Sequence, residues 1–213
     1  MRTDRLRPVA SVLVSLLLVL VGAAGCAPAA SQEPPPEIPP TAVAPANLAA
    51  LKQAAGIADC PKSDAAETPV SGGLPDQLVP CLGGGRDVRL AGLRGTPMMI
   101  NVWGQWCAPC REEAPYLTEI ATSDHRELLI VGIDFDDPRP DYAIEYAQLS
   151  KWRYPQLADP DRKLAGPLKV AAGPPQTLFV SADGVIVYRH AGPFRSAGEI
   201  RQLVRTHLGV TLR

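Results

Sequence analysis

Apolar positions follow two rhythms along this chain. Pro97 to Trp103 and Leu128 to Asp134 are nearly continuous apolar runs, the pattern of strands buried on both faces. Between them, Cys107 to Ala121 has the spacing of a helix, and strand–helix–strand predicts a βαβ unit with parallel strands and a right-handed crossover. Further on, Asp141 to Trp152 reads as a second amphipathic helix and Asp161 to Leu168 as a shorter one. Gln176 to Ser181 and Val185 to His190 are strand patterns joined by Ala182-Asp183-Gly184, a hairpin signal. Ser196, with Glu199 three residues on, forms a capping box that opens a last helix through Leu208. Upstream, Leu78 to Leu82 and Asp87 to Leu90 are short strands around a glycine turn, with Pro80 marking an edge, and Asn47 to Gly56 has helical spacing. The order predicts an α/β fold: a mixed central sheet with helices on both faces and an N-terminal β-hairpin extension.

The ends obey different rules. Arg2, Arg5 and Arg7 precede an apolar run from Val9 to Val21, which reads as an export signal and is short of the ~20 residues of a spanning helix. The segment Gly22-Ala23-Ala24-Gly25-Cys26 resembles the lipobox of bacterial lipoproteins, with Ala23 where leucine is usual; plain signal cleavage and an uncleaved anchor are the alternatives. Ala27 to Ala46 is rich in proline, cannot build a core, and in extended form could reach roughly 60 Å. The chain therefore divides into a signal peptide (1–25), a lipidated Cys26 with a proline-rich linker (26–46) and a folded domain (47–213). That domain is long enough for one well-buried core.

The formal net charge of the 213 residues is −1, and the folded part is mildly acidic, so no basic footprint for nucleic acid is present. Five cysteines are more informative. Cys107 and Cys110 stand at C-x-x-C spacing at a helix start, where the dipole and free N–H groups favour a thiolate on the first. Cys26 is the anchor candidate. Cys60 and Cys81 are left over in an exported chain and are expected to form a structural disulfide closing a loop of about 20 residues, the alternative being two buried free thiols. The histidines (His125, His190, His207) form no cluster with the pair, so neither metal nor cofactor is expected.

Trp106-Cys107-Ala108-Pro109-Cys110, Pro115 five residues later, and a Pro-x-Thr strand followed by Asp183-Gly184 together resemble a thioredoxin-fold protein, and most closely the TlpA/ResA group of exported, membrane-tethered thiol-disulfide oxidoreductases. The resemblance covers about residues 75 to 210. It implies Cys107 as nucleophile and Cys110 as resolving cysteine. Thioredoxin-like proteins commonly place a buried acid in the preceding strand, where this chain has Asn101. Glu113, three residues after Cys110, is then the expected proton shuttle and matches the active-site glutamate of ResA-like proteins, the alternative being a solvated surface side chain. Trp106, Pro174 and Pro175 are the expected substrate-binding positions, with Pro175 as a cis-proline facing the cysteines. Pro174 departs from the pattern, because it has no N–H to offer a substrate backbone.

Ala108-Pro109 lacks the histidine of strongly oxidising dithiols and resembles the Gly-Pro of reductants. A nearby Glu113 carboxylate also disfavours the thiolate. The expectation is a reductase of protein disulfides outside the cytoplasm, tethered to the outer face of the bacterial membrane by its lipid anchor and recharged by a membrane electron donor. Apocytochrome c thiols are a family-level substrate. A net oxidase for secreted proteins and a copper-binding lipoprotein without catalysis are the alternatives.

Overall fold

The computed structural model describes residues 44–212; the signal segment, Cys26 and nearly all of the proline-rich stretch lie outside the described residues. Its centre is the strand Met98–Trp103, all six residues of which are buried. Numbered in chain order, the elements before it are α1 (Pro45–Ala55), β1 (Leu78–Val79), β2 (Val88–Arg89) and a 3-10 turn over Leu90–Gly92, which makes the central strand β3. After it come α2 (Ala108–Thr122), β4 (Leu129–Phe135), α3 (Pro140–Leu149), β5 (Gln156–Asp159), β6 (Gln176–Val180), β7 (Ile186–Ala191) and α4 (Ala197–Leu208).

The main sheet runs β5-β4-β3-β6-β7. β3 pairs in parallel with β4, with Trp103 opposite Asp134, and antiparallel with β6, with Asn101 opposite Thr177. This is the mixed sheet of a thioredoxin-like fold. Successive right-handed crossovers β3-α2-β4 and β4-α3-β5 move the same way across the sheet, which puts both helices on one side. Accordingly Met99 and Trp103 pack with Leu117 and Ile120 of α2, Ile144 of α3 and Ile200 and Val204 of α4. The other face, with Ile100, Val102, Val131 and Ile133, is covered by Val79, Val88, Leu90 of the 3-10 turn, Leu164 and Val170. The sheet is thus the expected mixed one flanked by helices, with α2, α3 and α4 in one apolar layer and the 3-10 turn Leu90–Gly92 in the other.

Three boundaries differ from the sequence expectation. Asp161 to Leu168 is a series of turns and not a helix: Arg162 is left-handed (φ 59°), and the carboxylate of Asp159 accepts the N–H groups of Lys163 (2.8 Å) and Leu164 (2.9 Å). α3 stops at Leu149, before Trp152, because Lys151 turns left-handed (φ 56°). β5 has no strand signature in sequence. Its buried Gln156 accepts a hydrogen bond from Trp103 Nε1 (2.9 Å), and this amide fills the space beside Gly132 in which a Cβ would collide. The capping box of α4 forms with a shift: Ser196 Oγ accepts the Glu199 N–H (3.1 Å), while Glu199 Oε2 accepts the N–H of Arg195 (2.8 Å).

The N-terminal segment covers an edge. Cys81 bridges to Leu157 of β5, Leu82 N–H donates to Gln156 O (2.9 Å) and Ala158 N–H to Pro80 O (2.9 Å), so the strand that would otherwise offer free donors and acceptors is paired. Cys60 and Cys81 form a disulfide that ties this segment down. Buried Lys52 of α1 donates from Nζ to Cys81 Sγ (3.1 Å) and to Gly84 O (2.9 Å), joining the helix to the same staple.

Candidate active site

β3 delivers the chain to the site. Beyond Trp103 the backbone turns at Gly104, whose carbonyl accepts the N–H of Cys107 (3.1 Å). Glycine there lets the indole fold back over this residue, since a Cβ would lie 2.7 Å from Trp106 Nε1. Cys107 is the N-cap of α2 and its Sγ accepts the N–H of Cys110 (3.2 Å), so the sulfur sits on one of the unpaired amide donors of the helix start. Pro109 occupies the first turn, where its missing N–H costs no helical bond. Cys107 and Cys110 are joined as a vicinal disulfide with Cα atoms 5.3 Å apart.

Accessibility is concentrated in one residue. Trp106 is 45% exposed, Cys110 is fully buried, and Cys107 is only 2% exposed. Both cysteines belong to the apolar cluster that α2 packs into.

Glu113 is fully buried, one turn below Cys110. Its Oε1 accepts from Asn101 Nδ2 (2.9 Å) and its Oε2 from the Phe194 N–H (3.0 Å). Both donors favour the carboxylate, yet burial outweighs them and pushes the pKa up to about 7. Asn101 thus stands where an acid was missed and holds the acid that α2 supplies instead; its Nδ2 also reaches Thr177 Oγ1 on β6 (3.0 Å).

The Pro174–Pro175 peptide bond is cis. The register that pairs Val102 with Gln176 brings Pro175 to the end of the sheet from which β3 runs into the Cys107 turn. Its carbonyl is already taken by Gly192 N–H (3.0 Å), and Pro174 has no N–H. Among the described residues no group of three His, Cys, Asp or Glu side chains converges as a metal-ligand set.

The site also contains residues that sequence reasoning passed over. Phe194 acts through its backbone, which leaves no signature. Asp134 and Asp137 lie at the end of β4 beside the Cys107 turn, and their clue was a run of acids directly after an apolar strand.

A mixed five-stranded sheet whose central strand feeds a vicinal disulfide at a helix N-terminus, beside a cis-proline, defines a thioredoxin-like protein. Residues 72–189 match the AhpC/TSA family, and the chain belongs to it. Among curated relatives, the thiol:disulfide interchange protein DsbE of Yersinia pestis is 37% identical over 98 residues, 46% of this chain and 50% of that protein. DsbE of Pseudomonas fluorescens biotype C is 34% identical over 122 residues, 56% of this chain and 65% of that protein. The chain therefore matches about half to two thirds of the length of these relatives. Among solved structures, MTB dsbF is 25% identical with a TM-score of 0.57, over 64% of this chain and 98% of that one. A DsbF homologue from Corynebacterium diphtheriae is 25% identical with a TM-score of 0.52, over 68% of this chain and 90% of that one.

Proposed function

We propose that this chain is an extracytoplasmic thiol-disulfide oxidoreductase of the TlpA/ResA type that reduces protein disulfides. The observation that carries this reading is the Cys107–Cys110 disulfide at the start of α2 with Glu113 buried behind it. The shared name of the relatives, thiol:disulfide interchange protein, supports it.

In the dithiol form, Cys107 thiolate attacks one sulfur of a substrate disulfide, forming a mixed disulfide and releasing the other sulfur as a thiolate. Cys110 passes its proton to the Glu113 carboxylate and attacks Cys107 Sγ. The mixed disulfide breaks, the second substrate thiolate leaves, and the Cys107–Cys110 bond seen here is restored. Two electrons pass to the substrate, and the two leaving thiolates take up protons from solvent and from Glu113. A pKa near 7 suits Glu113 to accept and return that proton at neutral pH.

The remaining parts of the reading are the export signal (1–25), lipidation at Cys26, the linker (26–46) as a leash, a membrane protein that returns electrons to Cys107–Cys110, and apocytochrome c among the substrates. The insulin-reduction assay with dithiothreitol tests the activity: wild-type protein accelerates precipitation and Cys107→Ser does not. Equal rates for the two would refute the catalytic reading.

A further inference from the structure

The mechanism above leaves two buried acids unused. Asp134, one residue before the end of β4, pairs with Trp103 on the sheet face that carries Asn101 and Trp103, and is 1% exposed; Asp137 is 2% exposed. Between them Asp136 adopts a left-handed conformation (φ 56°), which is unusual for a non-glycine residue and bends the chain after β4. Asp136 N–H is tied to Asp159 O (3.0 Å), which holds the bend in place.

The hydrogen bonds divide the pair's four oxygens unequally. Asp137 Oδ1 accepts the Arg139 N–H (2.9 Å), and Gln105, two residues before Cys107, lies beside Asp137 along the same surface groove. The Asp134 and Asp137 side chains are close enough for each to act on the other's titration. Asp134 Oδ1 and Asp137 Oδ2, both fully buried, have no N–H or O–H donor. Two neighbouring buried carboxyls, each with an oxygen that has no donor, are the setting in which one proton can be held between them.

The charged groups around the pair are already engaged. Arg139 turns its guanidinium to Asp141 (3.0 and 2.7 Å) and Arg162 lies against Asp136 (3.6 Å). β3 presents the uncharged Trp103 and Asn101, and Glu113 of α2 is held beyond Asn101. Burial, followed by the neighbouring Asp137 charge, pushes the Asp134 carboxyl well above its ordinary range, in keeping with a proton retained at neutral pH.

We propose that Asp134 and Asp137 act as one positioning unit, a carboxyl–carboxylate pair whose shared proton lets Asp137 hold the Gln105–Trp106 turn that presents Cys107. This rests on Cys107–Cys110 being the reactive pair. Asp134 keeps the proton and donates it to Asp137 Oδ2, leaving the other side of Asp137 free to hold Gln105. When the proton is lost to bulk base, two carboxylates face each other without a cation, Asp137 is pushed away, and the turn loses its anchor.

Two measurements on the full chain test this. In wild-type protein, a 13C-carboxyl NMR titration of the aspartates should find one carboxyl of the pair still protonated at pH 7; finding every aspartate ionised there would overturn the proposal, whatever the variants do. On the reduced protein, the rate of Cys107 alkylation by iodoacetamide against pH should fall below a single-ionisation curve at alkaline pH. Asp134→Asn, whose amide donates to Asp137 at every pH, should remove that fall. Asp137→Asn should slow alkylation at neutral pH by roughly tenfold, the scale of a small misplacement of a reacting group. A purely structural role would lower the melting temperature and leave the profile shapes alike, so superposable wild-type and Asp134→Asn profiles would also overturn it. Failure of the oxidoreductase reading would appear separately, as wild-type protein that holds the proton and does not reduce insulin.

Discussion

Glu113 shows how one side chain's environment sets its chemistry. Two hydrogen-bond donors pull its pKa down, loss of water pushes it up, and the outcome is a value of about 7 against an ordinary 4.5. Because the folded-state pKa is raised, the contribution to stability is fully present below the unfolded value and is lost as pH rises through the folded one. Between about pH 4.5 and pH 7 the disulfide form should lose on the order of 3 kcal/mol from this group alone, and Glu113→Gln should flatten that decline in a denaturant series across pH. In the reduced protein the same substitution should remove the component that Glu113 adds to the pH profile of thiol reactivity. An unchanged profile would mean that Glu113 takes no part in proton transfer.

At the scale of elements, the legible features were those with a local cause. The strands β3, β4, β6 and β7 announced themselves by continuous or paired apolar runs, α2 by its spacing and α4 by Ser196 and Glu199. What stayed hidden depends on contacts far along the chain. β5 is a strand because Gln156 satisfies Trp103 and because Cys81 pairs with Leu157; Phe194 belongs to the site only through its backbone N–H. Asn101 was seen as the place where an acid is missing, and its bonds to Glu113 and Thr177 show what it does there. The Cys60–Cys81 staple is also a matter of elements, since it fastens the segment that covers the β5 edge. Replacing both cysteines by serine should cost about 3 kcal/mol in the chain-entropy view, measured by urea unfolding, while leaving the Cys107–Cys110 couple titratable. Loss of that couple as well would show that the edge cover is needed to build the site.

For the whole molecule, placement governs the meaning of the chemistry. The same dithiol serves as donor or acceptor according to its potential and to the partner that recharges it. In the proposed arrangement a lipidated Cys26 and the proline-rich stretch hold the domain near a membrane electron source. Cys26→Ser should then move the protein from the membrane fraction to the soluble one; unchanged membrane association would mean that the segment 1–25 itself is the anchor.

The direction of electron flow is set by the potential of the Cys107–Cys110 couple, and equilibration against glutathione buffers reads it directly. A protein disulfide reductase should show a reversible two-electron couple, absent in Cys107→Ser, with a potential nearer to the roughly −270 mV of thioredoxin than to the roughly −120 mV of DsbA. A value at the DsbA end would make this protein an oxidant and contradict its proposed role as a reductase.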